Sequence, residues 1–407
     1  MKKGSIFQHL TSKPSTQEEI KEIARRQGKS FQEVEKDIIY ALEDLRYSQK
    51  EIEETIKKNS YGTFPDSRIS VGNYGKNNEI NNAYLCHDHA QFCSRYSPKD
   101  IALVTGFGPT NAPTAGTLSI IFRLLEIQEK APLYCHVIIS DLGAFNSRKK
   151  PLGLLLENTN RFIRFIKELG FNEKNGELRT HNYFDFFKVS ALTSSLITTQ
   201  DFDENQEATE KMYKRLNLQG NDFSTMVDKN FTVADILLPI IRDRKKLVLV
   251  VAGLEEQYYP RLAKIVIDRM KKTGGGLEEF VHHKPEVSAL YGRIIEGLFP
   301  YVKMSKSIPE SSINIGNSPA EIQRRILDCG ERNEHVVLQM MELASDWSPS
   351  KIKAAQASFQ KRDLAPREWQ SMKNEYLEFF LNLKKLWDKT AADAKIKEIR
   401  KNIFNLL

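Results

Sequence analysis

Two stretches of this chain carry residue types suited to gripping phosphate. The first is Gly106-Phe-Gly-Pro-Thr-Asn-Ala-Pro-Thr-Ala-Gly-Thr117, which follows the short apolar run Ile101–Val104. Glycine lets a backbone approach a ligand closely, so Gly106, Gly108 and Gly116 suit a turn laid against a nucleotide. A helix starting near Thr114 would turn its first N–H groups toward an anion. The pattern is neither G-x-x-x-x-G-K-S/T nor G-x-G-x-x-G, which excludes a P-loop and the dinucleotide fingerprint at this turn. The second stretch is Lys303-Met-Ser-Lys-Ser307. Two ammonium groups among small hydroxyls can hold a polyphosphate by charge and hydrogen bonds. An ordinary basic loop is the competing reading of any single K-x-x-K.

These residues need a scaffold, and the apolar pattern supplies one. Strand-like runs at Ile101–Val104, Leu133–Ser140 and Leu247–Ala252 alternate with helical stretches at Leu118–Glu129, Leu154–Leu169 and Arg261–Lys272. Such alternation predicts a parallel, doubly wound α/β sheet. Open sheets of this kind bind ligands beyond the carboxyl ends of their strands, which is where Gly106–Thr117 falls. Asp141, at the end of the second run, reaches the same edge; it either touches substrate or caps the following turn. The first 95 residues read as helices with polar links. Thr16-x-x-Glu19 and Ser30-x-x-Glu33 have capping-box spacing, Ser48-x-x-Glu51 opens another helix, and Ile38, Leu42 and Leu45 form an apolar stripe. Residues 60–82 read as a linker and 172–228 as a polar, partly helical insertion in a catalytic region spanning 96–318. Residues 319–407 read as an all-helical domain, with Leu377, Phe380, Leu381 and Trp387 on one seam.

Composition narrows the class. The chain has 407 residues, 40% of them hydrophobic, which is enough for two or three packed domains. Net charge is +7, and Ser348–Leu407 alone holds 13 basic against 7 acidic residues. That face is either a solvated helix surface or one that meets the phosphates of RNA. No apolar run reaches the roughly 18 residues of a membrane span, and the start MKKGSIFQHLTSKP lacks the apolar core of a signal peptide. Four cysteines are too few for a disulfide framework, so a cytoplasmic location is expected. Cys86, His87, His89 and Cys93 are possible zinc ligands, but their spacing is not that of a standard finger and a capped helix start is the expected reading. His282-His283 and Thr273-Gly-Gly-Gly276 read as surface loops.

The two phosphate-type stretches together resemble the signatures of class I aminoacyl-tRNA synthetases. Lys303–Ser307 is KMSKS. Pro109, Thr110, Thr114 and Gly116 match G-x-x-P-S/T-x-x-x-T/H-x-G-N/H, the other signature as written in the tryptophanyl/tyrosyl branch. Ala234-Asp-Ile-Leu-Leu238, Ile241-Arg-Asp-Arg244, Glu255-Glu-Gln-Tyr-Tyr-Pro-Arg261 and Ser307-Ile-Pro-Glu-Ser-Ser-Ile313 resemble further segments of tryptophanyl-tRNA synthetases. The resemblance runs from about Leu85 to the C-terminus. It implies a Rossmann-type catalytic domain, a homodimer, and helices that face tRNA. It also implies a reaction in which an amino acid carboxylate attacks the α-phosphorus of ATP, releases pyrophosphate, and is then passed to tRNA. In that reading Gly106, Gly108, Thr110, Thr114, Gly116, Thr117 and Met304 line the ATP site. Lys303 and Lys306 hold the phosphates, assisted by Mg²⁺, with Thr114 beside them.

The departures point to a different amino acid. Thr117 stands where the family has His or Asn. Glu255-Glu256 replaces an acid–Gln pair in the amino-acid site, which Asp141, Asp235 and Tyr259 would complete. Polar positions of the relatives' indole pocket fall on Val104, Ile138 and Gly143. Asp235, Glu255 and Glu256 could form an acidic pocket for a basic side chain such as arginine, since a guanidinium satisfies paired carboxylates best. The competing reading has the glutamates facing solvent or paired with Arg242 or Arg261. Two other functions stay open: an ATP-independent, cyclodipeptide synthase-like enzyme that takes charged tRNA, and a non-catalytic tRNA-binding paralogue.

Overall fold

The structure is a computed structural model that describes residues 14–36, 49–64, 70, 74, 83–148, 150–182, 184–203, 222–299, 301, 304 and 309–391. Helices α1 (Pro14–Gln27) and α2 (Gln49–Lys58) precede a short strand β1 (Gly62–Thr63) and β2 (Tyr84–Asp88). The chain then runs β3 (Ile101–Phe107), α3 (Ala115–Lys130), β4 (Tyr134–Ile139), α4 (Asp141–Ser147), α5 (Leu152–Glu168) and β5 (Gly176–Arg179). Helices α6 (Phe184–Ser194), α7 (Thr199–Asp203) and α8 (Asp222–Ile241) lead to β6 (Leu247–Gly253), α9 (Tyr258–Thr273) and β7 (Glu286–Gly292). Four helices follow: α10 (Pro319–Leu327), α11 (Glu334–Leu343), α12 (Pro349–Gln360) and α13 (Pro366–Lys389).

The seven strands form one sheet in the order β1-β2-β7-β6-β3-β4-β5. The five from β7 to β5 are parallel, while β1 and β2 add an antiparallel edge. Strand order reverses direction at β3, so the crevice between β3 and β6 is the switch point where such sheets bind ligands. The strands are near-continuous apolar runs because both faces are covered. Along β3 and β6 the side chains alternate between two cores: Leu103, Leu249 and Val251 face one, Ala102, Val104, Val248 and Val250 the other. This is the Rossmann-type sheet with N-terminal and C-terminal helices that the sequence predicts.

The C-terminal helices share a core with the sheet. Trp387 packs edge-on to Phe162 and Phe165 of α5, with ring centroids 5.4 and 5.6 Å apart. Arg161 lies 4.2 Å over the Trp387 ring. Leu377, Phe380 and Trp387 are buried as the seam predicts. Part of the local positive charge is spent internally: Lys373 is buried and pairs with Glu334 at 2.9 Å. Residues 392–407 lie outside the described part.

Several local expectations are corrected. β3 extends to Phe107, so Gly106 is a strand residue paired beside Ile138 and not part of the turn. Cys86–Asp88 is strand, and a 3-10 helix starts only at Ala90, after His89 adopts a left-handed conformation at φ 57. Cys86 and Cys93 pack into different cores, which parts the proposed zinc ligands. The 172–228 insertion contains a sheet strand, β5, whose GELR sequence gives little strand signal. α1 is already under way at Pro14, before Thr16. The Ser30 box forms: the Ser30 N–H donates to Glu33 Oε2 at 2.8 Å and the Glu33 N–H to Ser30 Oγ at 3.2 Å. Ile38, Leu42, Leu45 and Ser48 lie outside the described residues.

Candidate active site

The carboxyl ends of β7, β6, β3 and β4 open onto one cavity of about 330 Å³. The turn after β3 forms its floor. Gly106, Gly108, Thr110, Thr114, Gly116 and Thr117 all line it. A side chain at Gly108 would meet nothing within 4 Å, so the turn leaves open space where a ligand can lie. Thr114 caps α3: its Oγ1 accepts the Thr117 N–H at 3.3 Å. Of the first-turn donors, Ala115 N–H goes to the Ile313 carbonyl at 3.1 Å. The helix end is therefore less open to an anion than its sequence suggests, with Gly116 and Thr117 the first-turn residues that line the cavity.

The turn also grips a distant segment. Thr114 and Asn314 form an antiparallel bridge, and Ile315 N–H donates to the Pro113 carbonyl at 3.1 Å. The Ser311–Asn314 stretch, which trails KMSKS, is thereby fastened to the first signature. Met304 of that pentapeptide is buried and lines the cavity. Lys303, Ser305, Lys306 and Ser307 lie outside the described residues.

Carboxylates approach from two sides. Glu255 and Glu256 follow β6, and both line the cavity with Tyr259. Glu255 is half-buried and Glu256 exposed. Gly253 makes room for Glu255, since a Cβ there would sit 2.2 Å from Glu255 Oε2. On the other side, α8 presents Asp228, Thr232 and Asp235 at i, i+4 and i+7, one helical face turned to the cavity. Asp228 was missed by sequence reasoning, as were Thr232, Arg179 and His181. Only the helical spacing within Asp228–Asp235 could have signalled the first two.

Asp235 is an anchor more than an open acid. Its Oδ1 accepts from Arg179 Nη2 at 2.8 Å and its Oδ2 from His181 Nε2 at 2.9 Å. Gly143 N–H donates to His181 Nδ1 at 3.2 Å, which assigns the ring proton to Nε2. The His181 ring stacks on Phe186 with centroids 4.6 Å apart. Burial pushes the Asp235 carboxyl up, but Arg179 and His181 more than offset it and hold it below its ordinary value. Asp141 takes the capping role: its Oδ1 accepts the Leu142 N–H at 2.8 Å and the His181 N–H at 3.1 Å. It is absent from the cavity wall. Arg242 pairs with Asp243 and Glu177, leaving the Glu255–Glu256 side to other partners.

No protein-family profile and no curated protein matches the chain. Solved structures do. Tryptophanyl-tRNA synthetase from the archaeon Aeropyrum pernix K1 superposes with a TM-score of 0.59 at 18% identity, covering 86% of this chain and 92% of its own. The chain has the tryptophanyl-tRNA synthetase fold. The enzyme from Encephalitozoon cuniculi bound to tryptophan gives a TM-score of 0.60 at 15% identity, over 86% of this chain and 98% of that one. The Plasmodium falciparum enzyme gives 0.60 at 15% identity, over 86% and 96%. Identity this low over 86% of the chain shows a shared fold alone. Among the described residues no helix is long and apolar enough to cross a membrane.

Proposed function

We propose that the protein is a class I synthetase-like enzyme that activates a basic amino acid with ATP and transfers it to tRNA, acting in the cytoplasm as a homodimer. The observation that carries the reading is the Thr114–Asn314 bridge, with Met304 in the cavity wall beside it. It supports a site where the turn after β3 and the KMSKS stretch close on one triphosphate. Catalysis is then mostly positioning and stabilisation of developing phosphate charge.

The residues suit the groups the reaction needs. Gly108 and Gly116 offer backbone without a side chain beside the phosphates. Thr117, 3.3 Å from the Thr114 hydroxyl, can donate where the family has His or Asn. Among the described residues no three His, Cys, Asp or Glu side chains converge as a metal cage. Mg²⁺ bound with ATP would supply charge neutralisation there. Glu255 and Glu256 supply negative charge for a cationic substrate group.

Pyrophosphate exchange with each of the twenty amino acids tests the reading. Exchange stimulated by arginine or lysine is the expected result. Dipeptide formed from charged tRNA without ATP would replace this reading with the cyclodipeptide one; tRNA binding with neither activity would leave a non-catalytic paralogue. Glu256→Gln is expected to raise KM for the basic amino acid about three- to tenfold, a modest effect because the group is exposed. A variant with unchanged KM for the cation but weaker use of tryptophan would refute the acidic contact.

A further inference from the structure

The α4–α8 side of the cavity holds a carboxyl whose place is set by a missing side chain. Gly143 of α4 is buried, and a Cβ added there would lie 2.3 Å from Asp228 Oδ1, 2.3 Å from Ser140 Oγ and 3.0 Å from His181 Cε1. A side chain at 143 would force the Asp228 carboxyl and the Ser140 hydroxyl to shift. The glycine therefore reserves a niche for an acid delivered from a different helix. Asp228 is half-buried, lines the cavity together with Ser140, Ser147 and Arg148, and stands one helical turn before Thr232.

Its setting is poor for a resident anion. The Ser147 hydroxyl gives its proton to the Gly143 carbonyl at 2.9 Å. Arg148 directs one guanidinium nitrogen to the Ser147 carbonyl at 2.9 Å. His181 gives its ring proton to Asp235. Burial pushes the Asp228 carboxyl up to about 6; Ser147, Arg148 and His181 pull it back only in part, and Asp235 adds to the rise. Asp235 two turns along is neutralised by its own partners, whereas Asp228 keeps charge that a bound cation can use.

We infer that Asp228, seated in the niche left by Gly143, is a specificity-determining residue that contacts the cationic group of the substrate's side chain. The inference rests on the basic amino acid reading above and deepens it. Asp228 reaches the cavity beside α4, which follows β4, and Glu255–Glu256 follow β6, so the acids line one cavity from the two sides of β3. One extended ligand with two positive groups, an α-ammonium and a side-chain cation, can meet both. A neutral side chain of the same length leaves Asp228 buried without return.

Calorimetric binding to the full chain, without ATP or tRNA, tests this directly. The probes are L-arginine and L-lysine, with L-citrulline and L-norleucine as neutral counterparts. Asp228→Asn is expected to weaken binding of a basic probe at least tenfold and to leave the neutral ones unchanged; Asp228→Ser should do the same. Wild-type affinity for the cation should fall as pH drops through about 6, and the Asn variant should lose that dependence. Folding is checked alongside. A carboxyl raised in the native state costs stability once ionised, so Asp228→Asn should melt a few degrees higher at pH 8 and match wild type below pH 4. Unchanged cation affinity in both folded variants, or a wild type that binds neither basic probe, overturns the inference. Asp228-dependent binding without any pyrophosphate exchange would instead sink the ATP-dependent reading and leave the specificity residue standing.

Discussion

Lys306→Ala is expected to slow pyrophosphate exchange by about 100- to 1,000-fold, and Lys303→Ala by a similar factor, the range typical when one preorganised donor to a developing charge is removed. The ammonium groups would matter most in the transition state, where negative charge moves onto the leaving pyrophosphate. The loss should therefore fall on kcat more than on the KM for ATP. Binding of tRNA should hold within about twofold, because it draws on many phosphate contacts elsewhere. The argument joins a sequence motif to a packing fact. Met304 of the motif is in the cavity wall, and Asn314, seven residues after its end, is bridged to Thr114. Exchange at the wild-type rate in both variants would leave no role for the KMSKS stretch in chemistry.

Asp235→Asn is expected to cost about 3 kcal/mol of stability, the lower end for breaking a buried ion pair by removing one partner. Asp235, Arg179 and His181 are each at most 9% exposed. The variant takes from the Arg179 guanidinium its buried carboxylate partner, while the Glu177 contact at 3.2 Å and the Thr180 carbonyl at 3.4 Å stay. The pH dependence has a definite sign. A carboxyl held below its ordinary value contributes stability that is complete above that value, near 3.8, and is lost as pH falls through the lower native one. The gap in melting temperature should therefore be full at pH 7 and close only below about pH 4. Replacing Asp235 and Arg179 together by leucine should recover much of the loss, since apolar packing often matches a buried pair. A double variant no better than Asp235→Asn would mean that the pair fixes the α8 geometry in some further way.

The central strands and the start of α3 were legible because buried parallel strands are continuous apolar runs and Thr114 is a good cap. β7 and β5 were not. Ser288 sits in the middle of one, and Leu178 is the sole apolar residue of the other. Their strand state comes from neighbours in the sheet, which no local pattern records. The residues proposed to face phosphate lie in two contiguous motifs, so their grouping was open to local reading. The acidic side could be read only in part. Glu255 and Glu256 are adjacent in sequence, but Asp228 and Gly143 meet across two helices, and the value of that glycine is visible only as the space it leaves. Asp235 looked like a pocket acid until Arg179 and His181, from β5 and the loop after it, were found on its two oxygens.

The bridge between Thr114 and Asn314 also bears on how the protein matures. Strands β4 to β7 lie between its two partners, so this closure has high contact order and must await synthesis past Asn314. A nascent chain that has already folded β3, α3 and β4 would still lack the segment that fastens to the turn after β3.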